Sequence, residues 1–351
     1  EGGDGNDMIV AHFGDDVYVG GEGQDTLDMS MASRAFVDLE RGEARGLGRD
    51  QVQGVEAVIG SSGNDRLRGD DADNVLTGNA GRDSLSGRSG NDVLDGGEGD
   101  DRLSGGSGDD TLVGGEGQDR LNGGSGNDDL SGGDGNDRLW GLDGDDVISD
   151  GAGDDRVGGG RGDDVVVAGE GNDFYNGGRG FDTIDFSGSN SALTIDVGRR
   201  TATGEDNDRF SSFEKVIGSD FADNMRGSNR VDHLDGGAGD DVIQSLRGAD
   251  ILTGGEGDDT YVFAANDVVR GSRHFGADTI TDFEEGDTID LSGLFRGNDF
   301  DAEAVRLTET EVGTVVEAQI GRGGTFVDVV VLDGVFGLDT ETITDDGLLV
   351  G

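Results

Sequence analysis

A bulky apolar residue returns every nine positions through the middle of this chain: Leu67, Leu76, Leu85, Leu94, Leu103, Leu112, Leu121, Leu130, Leu139, Ile148, Val157, Val166, Tyr175 and Ile184. All but Val166 have a polar or small residue on at least one side, the pattern of a very short strand with one side chain turned inward. Glycine-rich stretches separate these strands, as in Gly96-Gly97-Glu98-Gly99-Asp100-Asp101-Arg102-Leu103-Ser104. The glycines predict a tight turn with backbone at positive φ and converging carbonyls. A three-residue strand has no stability of its own, so successive units must stack at the strand spacing of about 4.8 Å. The fold class that follows is all-β, a repeat solenoid. With two units per coil, the fourteen units make seven coils, roughly 34 Å of solenoid around a narrow core.

Two residues before each core position stands an acid. The array runs Asp65, Asn74, Asp83, Asp92, Asp101, Asp110, Asp119, Asp128, Asp137, Asp146, Asp155, Asp164, Asp173 and Asp182, with Asn74 the one exception. The same unit recurs at Asp7, Asp16 and Asp25, and again at Asp223, Asp232, Asp241, Asp250 and Asp259, giving 22 units.

These runs divide the chain into repeats at 1–27, a β insert at 28–59, the main array at 60–185, a second insert at 186–217, repeats at 218–263 and a distinct C-terminal part at 264–351. The inserts are homologous. Asp25-Thr-Leu-Asp-Met-Ser30, Phe36-Val-Asp-Leu39 and Val55-Glu-Ala-Val-Ile-Gly-Ser61 in the first match Asp182-Thr-Ile-Asp-Phe-Ser187, Thr194-Ile-Asp-Val197 and Phe213-Glu-Lys-Val-Ile-Gly-Ser219 in the second. The C-terminal part reads as strands (Tyr261-Val-Phe263, Asp278-Thr-Ile-Thr-Asp-Phe283, Asp287-Thr-Ile-Asp-Leu-Ser292, Val327–Leu332), with a hairpin turn expected at Gly323-Gly324. It is placed to close the open end of the solenoid as a β-sandwich-like cap.

Charge narrows the partners. A formal charge of −51 repels nucleic acid and anionic membranes. The absence of cysteine excludes disulfides and thiolate metal sites, and the scattered His12, His233 and His274 make no zinc constellation. No run approaches the roughly 18 apolar residues of a membrane span. No N-terminal signal peptide is present, and the chain opens at Glu1 inside a repeat, as expected of a fragment or processed product. Low aromatic content and high charge would allow disorder, but the strict phase points to conditional order, dependent on a counter-ion.

In two stacked rows, each aspartate approaches the next coil's, and such like charges repel by about 1 kcal/mol per pair even at bulk dielectric. Oxygen ligands in excess, with flexible backbone carbonyls and no nitrogen or sulfur, suit Ca²⁺ better than Mg²⁺. One ion per unit at most, about twenty in all, would take −51 to roughly −11. The candidate carboxylate ligands are the 21 aspartates of the three runs, from Asp7 to Asp259. The candidate carbonyls belong to Gly96, Gly105, Gly114, Gly123, Gly132, Gly159, Gly177, Gly236 and Gly254. Four units depart from the glycine pattern, those of Asp16, Asn74, Asp232 and Asp250, and full occupancy is not expected there.

The nonapeptide Gly-Gly-x-Gly-x-Asp-x-apolar-x resembles the RTX, or hemolysin-type, calcium-binding repeat. That resemblance implies a right-handed parallel β-roll (β-solenoid) with Ca²⁺ between successive turns, held by the repeat aspartates and the glycine-turn carbonyls. The C-terminal Asp278–Phe283 and Asp287–Ser292 segments, and the ending Asp346-Gly-Leu-Leu-Val350, resemble a type I secretion target module. The resemblance implies export from a Gram-negative bacterium through the type I secretion machinery, to the extracellular space or cell surface. Extracellular calcium sites bind at about 10⁻⁴–10⁻³ M, so the chain would stay unfolded inside the cell and fold outside.

No His-Glu-x-x-His or Gly-x-Ser-x-Gly is present, so the chain itself is not expected to be an enzyme. The expected role is structural, adhesive or surface-associated, with a cell surface, a polysaccharide or further copies of the chain as partners. The alternative is the C-terminal calcium-binding and secretion module of a larger secreted protease, lipase or alginate epimerase. Trp140 follows Leu139 in strand phase and so points outward, either as a sugar-binding aromatic or as a simple surface residue. Arg161-Gly162-Asp163 and Arg68-Gly69-Asp70 spell an integrin-binding tripeptide that Gly-Asp turns generate by chance.

Overall fold

The computed structural model describes residues 1–204, 206–270, 273–295, 304–319, 326–338 and 348–350. The chain divides into two compact units, Glu1–Asp182 and Thr183–Gly351.

In the first unit, alternate repeats build two parallel sheets. One contains Arg66–Arg68, Ser84–Ser89, Arg102–Ser107, Arg120–Ser125, Arg138–Asp143, Arg156–Arg161 and Phe174–Arg179. The other contains Ala57–Ile59, Val75–Ala80, Val93–Glu98, Thr111–Glu116, Asp129–Asp134, Val147–Ala152 and Val165–Val167. Partners lie eighteen residues apart, as in Leu103 opposite Leu121 and Leu94 opposite Leu112, so one coil is two repeats. The structure is the parallel β-roll that the repeat predicts.

The strands are longer than the three residues expected. Beyond Arg102-Leu103-Ser104, the turn residues Gly106 and Ser107 also pair, with Gly124 and Ser125. Identical turns stacked in register place their amides and carbonyls in line as well, so the ladder resumes after a one-residue skip at Gly105. Close stacking is what makes glycine necessary here. Gly99 sits at φ +129°, and a Cβ on it would lie 1.5 Å from the Gly81 carbonyl oxygen.

The core is a single file of inward side chains. Leu67, Leu76, Leu94, Leu112, Leu121, Leu130 and Leu139 are fully buried. Each coil contributes only two such residues, so no neighbour can fill a gap. Leu112→Ala is therefore expected to cost about 2–5 kcal/mol, read as a lowered urea midpoint in saturating calcium.

The insert at 28–59 adds an antiparallel meander. Phe36–Asp38 pairs with Glu43–Arg45, which pairs with Arg49–Gln53, and the outer strands rejoin the roll beside Arg66–Arg68 and Val17–Val19. In the second unit, Thr194–Asp196, Thr201–Thr203 and Asn207–Ser211 repeat the same meander.

That unit continues as a roll through Lys215–Ile217, His233–Ala238 and Ile251–Glu256 on one sheet, and Asn224–Arg226, Val242–Gln244 and Thr260–Val262 on the other. Asp278–Ile280 and Thr288–Asp290 extend the two sheets by one strand each. The first sheet then ends in an antiparallel meander of Val305–Glu309, Gly313–Gln319 and Phe326–Asp333; the second ends on Leu348–Val350. The expected Gly323-Gly324 turn and Asp346 lie outside the described residues. Among the described residues no helix is long and apolar enough to cross a membrane.

Candidate metal centre

Every repeat aspartate of the main array points inward beside the turn and is almost completely buried; Asp101 and Asp164 are 0% exposed. The two carboxylate oxygens have different surroundings. Oδ1 accepts the backbone N–H of the aspartate one coil earlier: Asp83 N to Asp101 at 2.6 Å, Asp101 N to Asp119 at 2.7 Å, Asp119 N to Asp137 at 2.8 Å. The other row does the same, Asp92 N to Asp110 at 2.8 Å and Asp110 N to Asp128 at 2.9 Å. Each carboxylate thus closes the preceding coil's turn.

Oδ2 has no such partner. In Asp83, Asp92, Asp101, Asp110, Asp119, Asp128, Asp137, Asp146, Asp155 and Asp164 this atom is buried and accepts no hydrogen bond from the protein. It faces the glycine five residues earlier. A Cβ on Gly96 would meet Asp101 Oδ2 at 2.5 Å and the Gly114 carbonyl oxygen at 2.6 Å. The same pair of oxygens frames Gly78, Gly114, Gly159 and Gly236, where the carbonyls are those of Gly96, Gly132, Gly177 and Gly254. A carboxylate oxygen and a turn carbonyl converge on a space that only glycine leaves open. Hard oxygen donors around such a cradle fit a calcium ion.

The electrostatics point the same way. Burial, reinforced by neighbouring carboxylates, raises the carboxyl groups of Asp83, Asp92, Asp119, Asp128, Asp155, Asp164 and Asp241 to about 7. Hydrogen bonds from the backbone oppose that rise without cancelling it. Without a cation these groups could be buried only at the expense of holding protons near neutral pH.

The RTX calcium-binding nonapeptide repeat (four copies) matches residues 1–27, 59–94, 95–130, 131–166, 151–184, 217–251 and 226–261, more than half of the chain. The chain belongs to the RTX calcium-binding repeat family. No curated protein matches it. Among solved structures it resembles the extracellular lipase LipA from Serratia marcescens, at 18% identity and a TM-score of 0.22. That match covers 66% of this chain and 39% of the lipase chain, and at that score it carries nothing about activity.

Not every RTX unit has an open carboxylate. Asp65 and Asp223 were expected to be ligands, and Asp232 one without full occupancy; each accepts hydrogen bonds from a serine four residues earlier. Ser61 donates its N–H to Asp65 Oδ2 at 2.5 Å and its hydroxyl to Oδ1 at 2.7 Å; Ser219 serves Asp223 and Ser228 serves Asp232 in the same way. Protein donors reach both oxygens of these carboxylates, although Asp65 Oδ2 and the Gly78 carbonyl still frame Gly60, and Asp223 Oδ2 and the Gly236 carbonyl still frame Gly218. Asp119→Asn should therefore lower the calcium count measured by native mass spectrometry, whereas Asp65→Asn should leave it unchanged.

Tyrosine changes three more units. Tyr18 donates to Asp16 Oδ2 at 3.3 Å and Tyr175 to Asp173 Oδ2 at 3.0 Å. The Tyr261 hydroxyl lies 2.6 Å from where a Cβ on Gly254 would sit and donates to Asp282 at 3.2 Å. Of these, Tyr175 was expected only as core; a phenol is long enough to reach the carboxylate row from a core position. Asn74, the exception in the array, carries no charge and does not repeat the row bond: its Oδ1 accepts the Asp70 N–H at 2.8 Å and its Nδ2 donates to the Glu56 carbonyl at 3.4 Å, while its own N–H is still closed by Asp92 at 2.8 Å.

The rows also contain members that the nine-residue phase does not reveal. Glu56 accepts the Asp25 N–H at 2.9 Å and Asp50 accepts that of Asp16 at 2.9 Å. Asp278 and Asp287 accept those of Asp250 at 2.9 Å and Asp259 at 3.0 Å, across steps of 28 residues. Each of the four stands two residues before an apolar side chain, Val58, Val52, Ile280 and Ile289, which was the usable signal. Asp150 replaces the usual cradle glycine. It is 0% exposed, and its carboxylate, with those of Asp155 and Asp173, brings three oxygens within 4.8 Å of one another.

Proposed function

We propose that this chain is a secreted protein whose folding is switched on by extracellular Ca²⁺ and whose role is structural or adhesive, not catalytic. The observation that carries this reading is the continuous row of buried aspartate Oδ2 atoms that accept no protein hydrogen bond. Burial of so many unneutralised carboxylates is unfavourable, so a calcium-poor compartment disfavours the folded state and a calcium-rich one favours it by mass action. The specific ligands proposed are Oδ2 of the open aspartates and the cradle carbonyls of Gly96, Gly105, Gly114, Gly123, Gly132, Gly159, Gly177, Gly236 and Gly254. Asp7, Asp25, Asp146, Asp182, Asp241, Asp250 and Asp259 complete the proposed set of carboxylates.

The type I route is supported by the resemblance of the C-terminal segments around Asp278 and Asp287. The non-enzymatic reading is supported by the placement of the repeat carboxylates, which are committed to the turn rows. The test is export. The fraction of chain reaching the medium should fall when calcium is chelated in the culture and when residues 264–351 are deleted. Export indifferent to both would overturn the proposal.

A further inference from the structure

The charges of the main array are sorted by face. On one sheet, Arg102, Arg120, Arg138 and Arg156 stand directly opposite one another on successive strands. None of the four makes an ion pair among the described residues, although the chain carries 77 carboxylate residues. The strands of the opposite sheet, from Val75–Ala80 to Val165–Val167, contain no arginine. Like charges directly opposite on neighbouring strands destabilise a sheet. The fold does not require them, since the same column holds Ser84 at one end and Phe174 at the other.

The outward neighbours of this ladder suit a sugar. Trp140 projects from the same face, 37% exposed, two residues from Arg138, with Asn122 and Gly158 on either side of it. The indole lies against Gly158, where a Cβ would crowd it at 3.3 Å from Trp140 Cδ1. A polar groove runs along the ladder past Arg102, Arg120 and Arg138, lined also by Gln118 and Asn136, by the buried Asp119 and by Asp100, whose carboxylate is paired with Arg82.

From this arrangement we propose that the Arg102–Arg156 ladder with Trp140 is a binding face for a linear acidic polysaccharide, one whose sugars carry carboxylate or sulfate groups. Guanidinium groups recognise such oxyanions by paired, charge-assisted hydrogen bonds. The ladder repeats once per coil at about 4.8 Å, close to the length of one pyranose residue, so successive arginines keep step with successive sugars; in hyaluronan, whose carboxylates stand on alternate sugars, every second arginine meets one. Trp140 supplies the flat apolar surface on which a sugar ring stacks. The basic strip is one residue wide on a chain of net charge −51, which disfavours nucleic acid and anionic membranes, since both present broad negative surfaces. The proposal rests on the adhesive reading above and gives it a ligand class.

The test uses the calcium-loaded chain and hyaluronan oligosaccharides in isothermal titration calorimetry, with neutral dextran, a single-stranded DNA oligonucleotide and anionic lipid vesicles as comparisons. Binding to hyaluronan alone, weakened by added salt, is the expected result. Arg120→Glu/Arg138→Glu should weaken it roughly tenfold or more, and Trp140→Ala should weaken it with a smaller change in salt dependence. Arg34→Glu, an exposed arginine outside the ladder, should leave it unchanged. Circular dichroism of each variant in calcium separates loss of folding from loss of binding. The proposal is overturned by absent binding to hyaluronan in a folded chain, by equal effects of Arg34→Glu and the ladder variant, or by DNA or vesicles binding as tightly. Export indifferent to calcium chelation, with hyaluronan binding intact, would count against the secretion reading alone.

Discussion

Chelation of calcium at pH 8 is expected to abolish the β-sheet signal of the purified chain in far-UV circular dichroism, and about 1 mM CaCl₂ to restore it in a cooperative transition; equimolar MgCl₂ should not. This is the largest effect expected of any single change. The reason is the arrangement of the rows. Ten successive aspartates of the main array, from Asp83 to Asp164, bury an Oδ2 that no protein donor reaches. At pH 8 most of these groups would be ionised in a folded chain without calcium, each facing like charges one coil away. Cooperativity follows from the bond between coils: Asp101 closes the turn of Asp83 and is followed by Asp119. Loss of one coil therefore exposes the amide of the coil before it. A chain that keeps its β signal in EGTA at pH 8 would show that the rows are stable without a cation.

Acid should substitute for calcium. The buried carboxyl groups of Asp83, Asp92, Asp119, Asp128, Asp155, Asp164 and Asp241 are raised to about 7 from an ordinary value of 3.8. Between these limits the folded, calcium-free chain binds protons that the unfolded chain does not. The stability contributed by those protons is fully present below about pH 4 and is lost as pH rises through about 7. In EDTA, then, β structure appears as pH is lowered from 8 towards 5 and disappears on return. The direction is opposite to ordinary acid denaturation, in which protonation of paired carboxylates unfolds the chain. A chelated chain that stays unfolded at pH 5 would show that protons do not neutralise the rows well enough.

The roll itself was legible because its two periods are written directly into the chain. One apolar residue per nine and glycines at fixed offsets leave stacking as the way to bury Leu103 and its equivalents, and two sheets make the coil eighteen residues. The acid rows were legible only where the phase was kept. Glu56, Asp50, Asp278 and Asp287 occupy the same place in space after insertions that broke the count. The closure of Asp65 by Ser61 was hidden for another reason: serine in a glycine-rich turn looks like ordinary turn chemistry until its hydroxyl is seen on the carboxylate. The substitution at Asp150 was visible as a missing glycine, but its meaning depends on Asp173, one coil further on. The Arg ladder required the eighteen-residue register, which places Arg102 and Arg120 side by side and leaves the arginine-free units on the opposite face.

The two-repeat coil also restricts how such a gene can change length. Removal of eighteen residues takes out one whole turn and returns every later side chain to the face it occupied, with each Oδ1 meeting an equivalent amide. Removal of nine does not. All residues downstream would then exchange sheets, so that an arginine following the deletion would stand in the column of Val93 and Thr111. The core would tolerate this, because leucine points inward in both sheets, but the surface would be shuffled. Descendants of this array should therefore differ by even numbers of repeats wherever its two faces have separate tasks, and by any number where they do not.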